Sequence, residues 1–285
     1  MAGIEKRFLN SVVALGVSAP TPDDQEHKHW VGTGFLVGYR HGVDEVYLVT
    51  NKHVVQDQTT LFIRFNTLDG ASANDFPLKI KDEKGVVLFS FHPNPQIDIV
   101  AVSLNLDFLK SSNSSFDFYD LKEDVNTLEQ MEKNQLHEGS LVFALGFPMN
   151  LVDLDRQYPI CRLGCISRIS NAFDVDNAID FLVDAQTFPG NSGGPIVSRA
   201  ECATSNQKVV LLGILRAYIP YQEVLCSMQT GRQRSTMEEN SGLTVVHPVD
   251  RILEVVNFEQ TRIALLQANP KRKKGKKNSS TSETL

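Results

Sequence analysis

Short apolar stretches broken by turn residues dominate the chain, and a helical spacing of apolar positions emerges only near its end. Strands bury alternate or successive side chains, whereas an amphipathic helix spaces them by three and four. On that criterion strands are expected over 11–17, 30–37, 45–50, 61–65, 85–91 and 97–104, and again over 140–146, 158–169, 179–183, 194–197, 208–218 and 243–246. The stretch Leu61-Phe62-Ile63-Arg64-Phe65 carries the aromatic and β-branched alternation of a half-buried strand. Residues 51–55 predict a short helix at the end of the 45–50 strand. Between the two sets, 110–139 turns polar, with a serine-rich loop at 111–115 and scattered leucines over 121–136 that suit a short helix. After Pro220 a long polar loop is expected over 222–241, containing Gly231, Arg232 and Arg234. A loop that long in a compact domain is usually functional or mobile. Only 250–257, with Ile252, Leu253, Val255 and Val256 on one side, has a helix-like face.

This pattern is all-β and falls into parts: an N-terminal β unit over 1–110, a crossover over 111–139, a C-terminal β unit over 140–247, a helix over 248–267 and a tail over 268–285. Gly32 and Gly34 interrupt one strand without a helix following, so they do not form a phosphate loop. They fit a strand that bends and leaves backbone room beside a site.

Candidate chemistry centres on Gly190-Asn191-Ser192-Gly193-Gly194-Pro195. Glycines there permit dihedrals that lift a serine hydroxyl out of the surface. They also allow the amides of Gly190 and Ser192 to converge as an oxyanion hole. Upstream, the apolar stretch Val46-Tyr47-Leu48-Val49-Thr50 runs into Asn51-Lys52-His53, and Gln96-Ile97-Asp98-Ile99-Val100 embeds an acid among apolar residues. A serine hydroxyl is a weak nucleophile until a histidine accepts its proton, and a carboxylate behind the ring fixes the tautomer and stabilises the imidazolium. His53, Asp98 and Ser192 are the candidates.

Their chain order, together with Gly32-Thr33-Gly34-Phe35-Leu36-Val37 and Leu145-Gly146-Phe147-Pro148, resembles the chymotrypsin-like serine proteases in the branch typified by the bacterial HtrA/Deg proteases. The resemblance runs from about residue 11 to 256. It implies two six-stranded antiparallel β-barrels, a C-terminal helix across them, and serine endopeptidase activity through an acyl-enzyme. It also implies a pocket-base position at Gln186 and a substrate-pairing strand at Gly213-Ile214-Leu215-Arg216-Ala217-Tyr218, with Arg216, Ala217 and Tyr218 at its mouth. Neutral Gln186 argues against a preference for Lys or Arg before the scissile bond. Tyr218 narrows the mouth toward a small or medium residue, unless Arg216 points inward and selects an acidic one. Asn191 replaces the acid that digestive members pair with a cleaved N-terminus, so regulation is expected through loop ordering around Gly190, with the 222–241 loop and an unidentified activator as agents. The chain ends soon after the helix, so no PDZ module is expected, and trimer formation is not expected to carry over.

Composition adds bounds. The 285 residues are 41% hydrophobic and 22% charged with net charge −6, ordinary for a globular protein. Lys271-Arg272-Lys273-Lys274-Gly275-Lys276-Lys277 forms a basic tail expected to be disordered, and the body without it is still more acidic. Nucleic-acid binding is therefore expected from the tail or not at all. The apolar stretch at 12–17 is too short for a signal peptide or membrane span. Cys161, Cys165, Cys202 and Cys226 form no C-x-x-C pair and suit buried free thiols in a cytoplasmic protein. The remaining histidines show no metal-ligand spacing, so neither metal nor other cofactor is expected. The main rival reading is a protease fold used as a binding or sensor module, its site inactive or ordered only by an activator. A protease recruited to nucleic acid by its tail is a third.

Overall fold

The computed structural model describes residues 3–19, 27–40, 45–199 and 208–268. In chain order, helix α1 (Lys6–Asn10) leads into strands β1 (Val12–Ala19), β2 (His27–Tyr39) and β3 (Glu45–Thr50), followed by helix α2 (Lys52–Val55). Strands β4 (Thr60–Thr67), β5 (Asn74–Lys79), β6 (Ser90–Phe91) and β7 (Val100–Ser103) complete the first half. The crossover holds α3 (Leu106–Ser111), β8 (Ser114–Ser115), β9 (Tyr119–Asp120) and α4 (Leu128–Lys133). The second half contains β10 (Leu141–Gly146), β11 (Ile160–Arg168), α5 (Ser170–Phe173), β12 (Phe181–Asp184), β13 (Pro195–Ser198), β14 (Leu211–Cys226) and β15 (Gln233–Pro248), and α6 (Val249–Ala268) follows.

The second half is a closed six-stranded barrel in the order β10-β11-β12-β15-β14-β13. The first is a nine-stranded sheet ordered β5-β4-β1-β2-β3-β7-β6, with β8 added to β4 and β9 to β2. The all-β, chymotrypsin-like architecture with a helix at its end is thus present, the first half having more strands and an open ladder.

Why β1 to β3 read as continuous apolar runs is visible in their neighbours. Val13, Leu15, Leu36, Val46 and Leu48 point into the interior of the first half. Alternate residues Val12, Ala14, Phe35, Val37, Tyr47 and Val49 point the other way, into a core shared with Leu145, Phe147, Val197 and Ile214 of the second. Strands covered on both faces need apolar side chains at successive positions. Helix α6 seals that seam with Val249, Ile252, Val255 and Val256. It is pinned by the fully buried Glu259, which accepts from Ser90 Oγ, Ser103 N and the Arg262 guanidinium.

Several sequence expectations need correction. The 222–241 segment is no loop: β14 and β15 continue as a two-stranded ribbon paired from Pro220↔Asn240 to Cys226↔Gln233. Its side chains are exposed on both faces, so no period-two apolar signal marked it. The strand expected over 85–91 shrinks to Ser90–Phe91, with an isolated bridge between Lys81 and Val87. Strand β5 was not anticipated because Pro77 interrupts it, and β5 lies at the sheet edge, where proline is tolerated. The expectation of buried thiols fails for Cys161 and Cys226, which are exposed, and Cys165 is half-buried. Only Ile166 of β11 is buried, and Cys226 lies on the exposed ribbon. Cys202 and the basic tail lie outside the described residues. No helix among the described residues is long and apolar enough to cross a membrane.

Candidate active site

The end of β3 delivers His53 into α2, where Asn51 in extended conformation precedes the turn. Asp98 lies just ahead of β7, and its backbone is docked against that turn. Its carbonyl accepts from Asn51 Nδ2 at 2.8 Å and from Lys52 N at 3.3 Å. The carboxylate grips His53 twice: Oδ2 is 2.5 Å from Nδ1 and Oδ1 accepts the His53 amide at 3.1 Å. A carboxylate only accepts, so Nδ1 carries the proton and a neutral ring leaves Nε2 as acceptor. Burial works to raise the Asp98 pKa, but the bonds from His53, with the charges of His53 and His247, more than reverse it and the value is lowered. The pair therefore stabilises the fold above the ordinary aspartate value of about 3.9, and that contribution is lost as pH falls through the lower folded value.

Ser192 belongs to the second half, and its backbone lies against β2 of the first. Its carbonyl accepts from Thr33 N at 2.9 Å, and Gly193 N donates to Leu215 O at 3.0 Å. Gly32 separates Ser192 from α2: an added Cβ would come 2.9 Å from Val54 Cγ1 and 3.4 Å from the Ser192 carbonyl. The hydroxyl donates to the Arg216 carbonyl at 3.5 Å, not to His53.

Around the serine, amide pairing is selective. Phe188 N bonds Asn191 Oδ1, Asn191 N bonds Phe188 O, and Gly194 N bonds Asn191 O. The amides of Gly190 and Ser192 meet no acceptor among the described residues. The Pro189 carbonyl is turned away to accept Met149 N at 2.6 Å, and Gly190 has φ 94°. Its hydrogen faces the Phe147 carbonyl so closely that a Cβ would collide. Only glycine fits both conditions.

Thr33 is one residue that sequence reasoning missed. Its Oγ1 donates to the Gly190 carbonyl at 2.7 Å and accepts Phe147 N at 3.1 Å. Its carbonyl accepts Thr50 Oγ1 at 2.8 Å. One buried side chain thus ties β2 to the serine loop and to the turn after β10. The flanking glycines signalled close approach, but nothing local named the partners. Thr33→Val keeps the shape and strands a buried carbonyl and amide, so it is expected to cost about 1–3 kcal/mol of stability. Urea denaturation measures that loss, and a change below about 0.5 kcal/mol would contradict this role.

The specificity candidates are more loosely gathered. Gln186 is exposed at φ 44°, its amide and that of Ala185 turned to the Gly242 carbonyl at 3.3 and 3.2 Å. Arg216 and Tyr218 are half-buried and Ala217 exposed on β14, which bulges between Leu215 and Ala217 opposite β15. The ribbon root touches the serine loop through Asn240 Nδ2 on the Thr187 carbonyl at 2.6 Å.

Among curated proteins, the chain is 28% identical over 184 residues to "Serine protease HtrA-like" of Staphylococcus aureus (strain USA300), a match over 62% of this chain and 20% of that protein. It thus spans about a fifth of the length of the curated relatives it matches. Among solved structures, the HtrA-type protease AlgW with a decapeptide has TM-score 0.51 at 17% identity, covering 88% of this chain and 65% of that one. AlgW with a tripeptide gives 0.50 at 17% identity, over 88% and 60%. At such identity the likeness concerns the fold. A sequence profile described as "Trypsin-like peptidase domain" matches residues 32–202, more than half the chain, and takes in His53, Asp98, Ser192 and the Thr33 tie. The chain belongs to the trypsin-like peptidase domain family.

Proposed function

We propose that this protein is a serine endopeptidase acting through His53, Asp98 and Ser192. The observations that support the reading are the His53–Asp98 pair and a serine loop, tied to β2 through Thr33, in which the amides of Gly190 and Ser192 meet no acceptor among the described residues. Rotation of the Ser192 hydroxyl from the Arg216 carbonyl toward His53 Nε2 sets up attack; such bonds are often long or misdirected without substrate. Ser192 Oγ adds to the peptide carbonyl while its proton passes to His53 Nε2, and the oxyanion sits between the Gly190 and Ser192 amides. The imidazolium, held by Asp98, protonates the departing amine, leaving an ester on Ser192. Water then attacks that ester, giving its proton to His53, and collapse returns the proton to Ser192 and releases the acid.

The solved AlgW structures hold peptides, which supports a peptide or protein as substrate here. A small or medium neutral residue before the scissile bond fits the neutral Gln186 and the half-buried Tyr218 beside Ala217. A second reading, a site completed only by an activator, is favoured by the Ser192 bond to Arg216. There the ribbon root, bonded to the Thr187 carbonyl, is where the activator would act.

A fluorophosphonate probe tests the reading. Native protein should be labelled at Ser192 alone, as mapped on peptides by mass spectrometry, and heat-unfolded protein should not. Absence of labelling, or labelling at another serine, would leave a binding or sensor module.

A further inference from the structure

His247 ends β15 next to Pro248, and its ring is wholly buried between the two halves. Both ring nitrogens are engaged. Nε2 lies 3.0 Å from the Asp98 amide, and Nδ1 lies 2.6 Å from the Ile179 carbonyl. An amide N–H only donates and a carbonyl only accepts, so the proton sits on Nδ1 and the ring is neutral. Asp98 is thus held from two directions. Its carbonyl is fixed by Asn51 and Lys52 of its own half, and its amide by a histidine of the other. Nothing else among the described residues accepts that amide.

We propose that His247 is a positioning residue for Asp98 and does so only as the neutral Nδ1–H tautomer, so that its protonation switches the site off in mild acid. This rests on the endopeptidase reading above. A protonated Nε2 would present a hydrogen to the Asp98 N–H, two donors would face each other, and the segment carrying the carboxylate would lose its anchor. The charged groups facing the ring are Arg216 on β14, Asp180 ahead of β12, and Asp98 itself, with His53 beyond it. Burial, aided by Arg216, lowers the His247 pKa below the ordinary histidine value of about 6.5, despite the opposing pull of the Ile179 bond, Asp98 and Asp180. Because the folded value is depressed, the stability from this ring is complete above about 6.5 and declines as pH falls toward the folded value.

The experiment compares wild type, His247→Gln and His247→Val. Glutamine can accept from Asp98 N with its amide oxygen and donate to Ile179 with its amide nitrogen, yet takes up no proton. Valine can do neither. The readout is the rate of fluorophosphonate labelling at Ser192 against pH, with circular dichroism confirming the fold at each point. Wild type should lose reactivity in acid with a limiting slope of two protons, one of them taken up by His247. His247→Gln should show a slope of one. His247→Val should react on the order of tenfold to a hundredfold more slowly at neutral pH, the scale of a misplaced functional group, with His247→Gln recovering most of that loss. A slope of two in His247→Gln, or a wild-type rate in His247→Val, overturns the proposal. If wild type is unreactive at every pH, the endopeptidase reading fails, and nitrogen-15 NMR then decides this one alone. An Asp98 amide resonance that shifts as His247 titrates, and stays still in His247→Gln, supports the positioning role; an Asp98 amide indifferent to that titration refutes it. The same spectra decide if the valine variant does not fold.

Discussion

Ser192→Ala is expected to lower kcat on the order of 10⁶-fold and to abolish fluorophosphonate labelling, the scale found when a triad nucleophile is removed. The loss is confined to chemistry because the hydroxyl does little for the fold. Its one hydrogen bond among the described residues is the long contact to the Arg216 carbonyl at 3.5 Å. Alanine keeps the backbone carbonyl that accepts Thr33 N and the amide of residue 192, unpaired among the described residues. Denaturation midpoints should therefore stay close to wild type, and a peptide substrate should still bind. Residual turnover of about 10³–10⁴ over water would come from the oxyanion hole and binding alone. Activity within tenfold of wild type would mean that another nucleophile does the work.

What the sequence revealed, and what it withheld, follows from the range of the interactions. Ser192 was legible because its loop must be built from glycines, and Gly190, at φ 94° against the Phe147 carbonyl, admits nothing else. His53 was legible because a strand buried on both faces, Val46 to Thr50, ends abruptly in polar residues. The ribbon beyond Pro220 was not, since it buries neither face and carries no apolar alternation. Thr33 and His247 were not either. One is a threonine between glycines and the other a histidine before a proline. Their importance lies in partners far along the chain, such as Gly190 for Thr33 and Asp98 for His247. Both residues do the same job from opposite sides: they fasten groups of one half to backbone atoms of the other. The proposed site would need such ties, because His53 and Asp98 belong to one body of strands and Ser192 to the other. Residues of this kind are recognised by geometry and not by local pattern.

Asp98→Asn puts the seam and the tautomer to the strongest test short of removing the nucleophile. The replacement is isosteric, but one of two accepting oxygens becomes an NH₂ group. Both positions face donors: the His53 amide at Oδ1 and His53 Nδ1 at Oδ2. The backbone amide cannot give up its proton, whereas the imidazole can move its own. The lower-cost arrangement keeps oxygen toward the amide and turns the NH₂ to the ring. Nδ1 then becomes an acceptor and the ring proton shifts to Nε2. In that tautomer Nε2 has no lone pair for the Ser192 proton, although no atom has moved far. A fall in kcat of about 10⁴-fold is expected, with peptide affinity nearly unchanged. Labelling rates at neutral pH measure the loss, and nitrogen-15 NMR of the His53 ring reads the tautomer directly. A loss below tenfold would mean that Asp98 holds the backbone of α2 through its carbonyl and contributes nothing through its carboxylate. Because Asn51 Nδ2 and Lys52 N bond that carbonyl and not the side chain, the fold survives the substitution in either case, and the two roles separate cleanly.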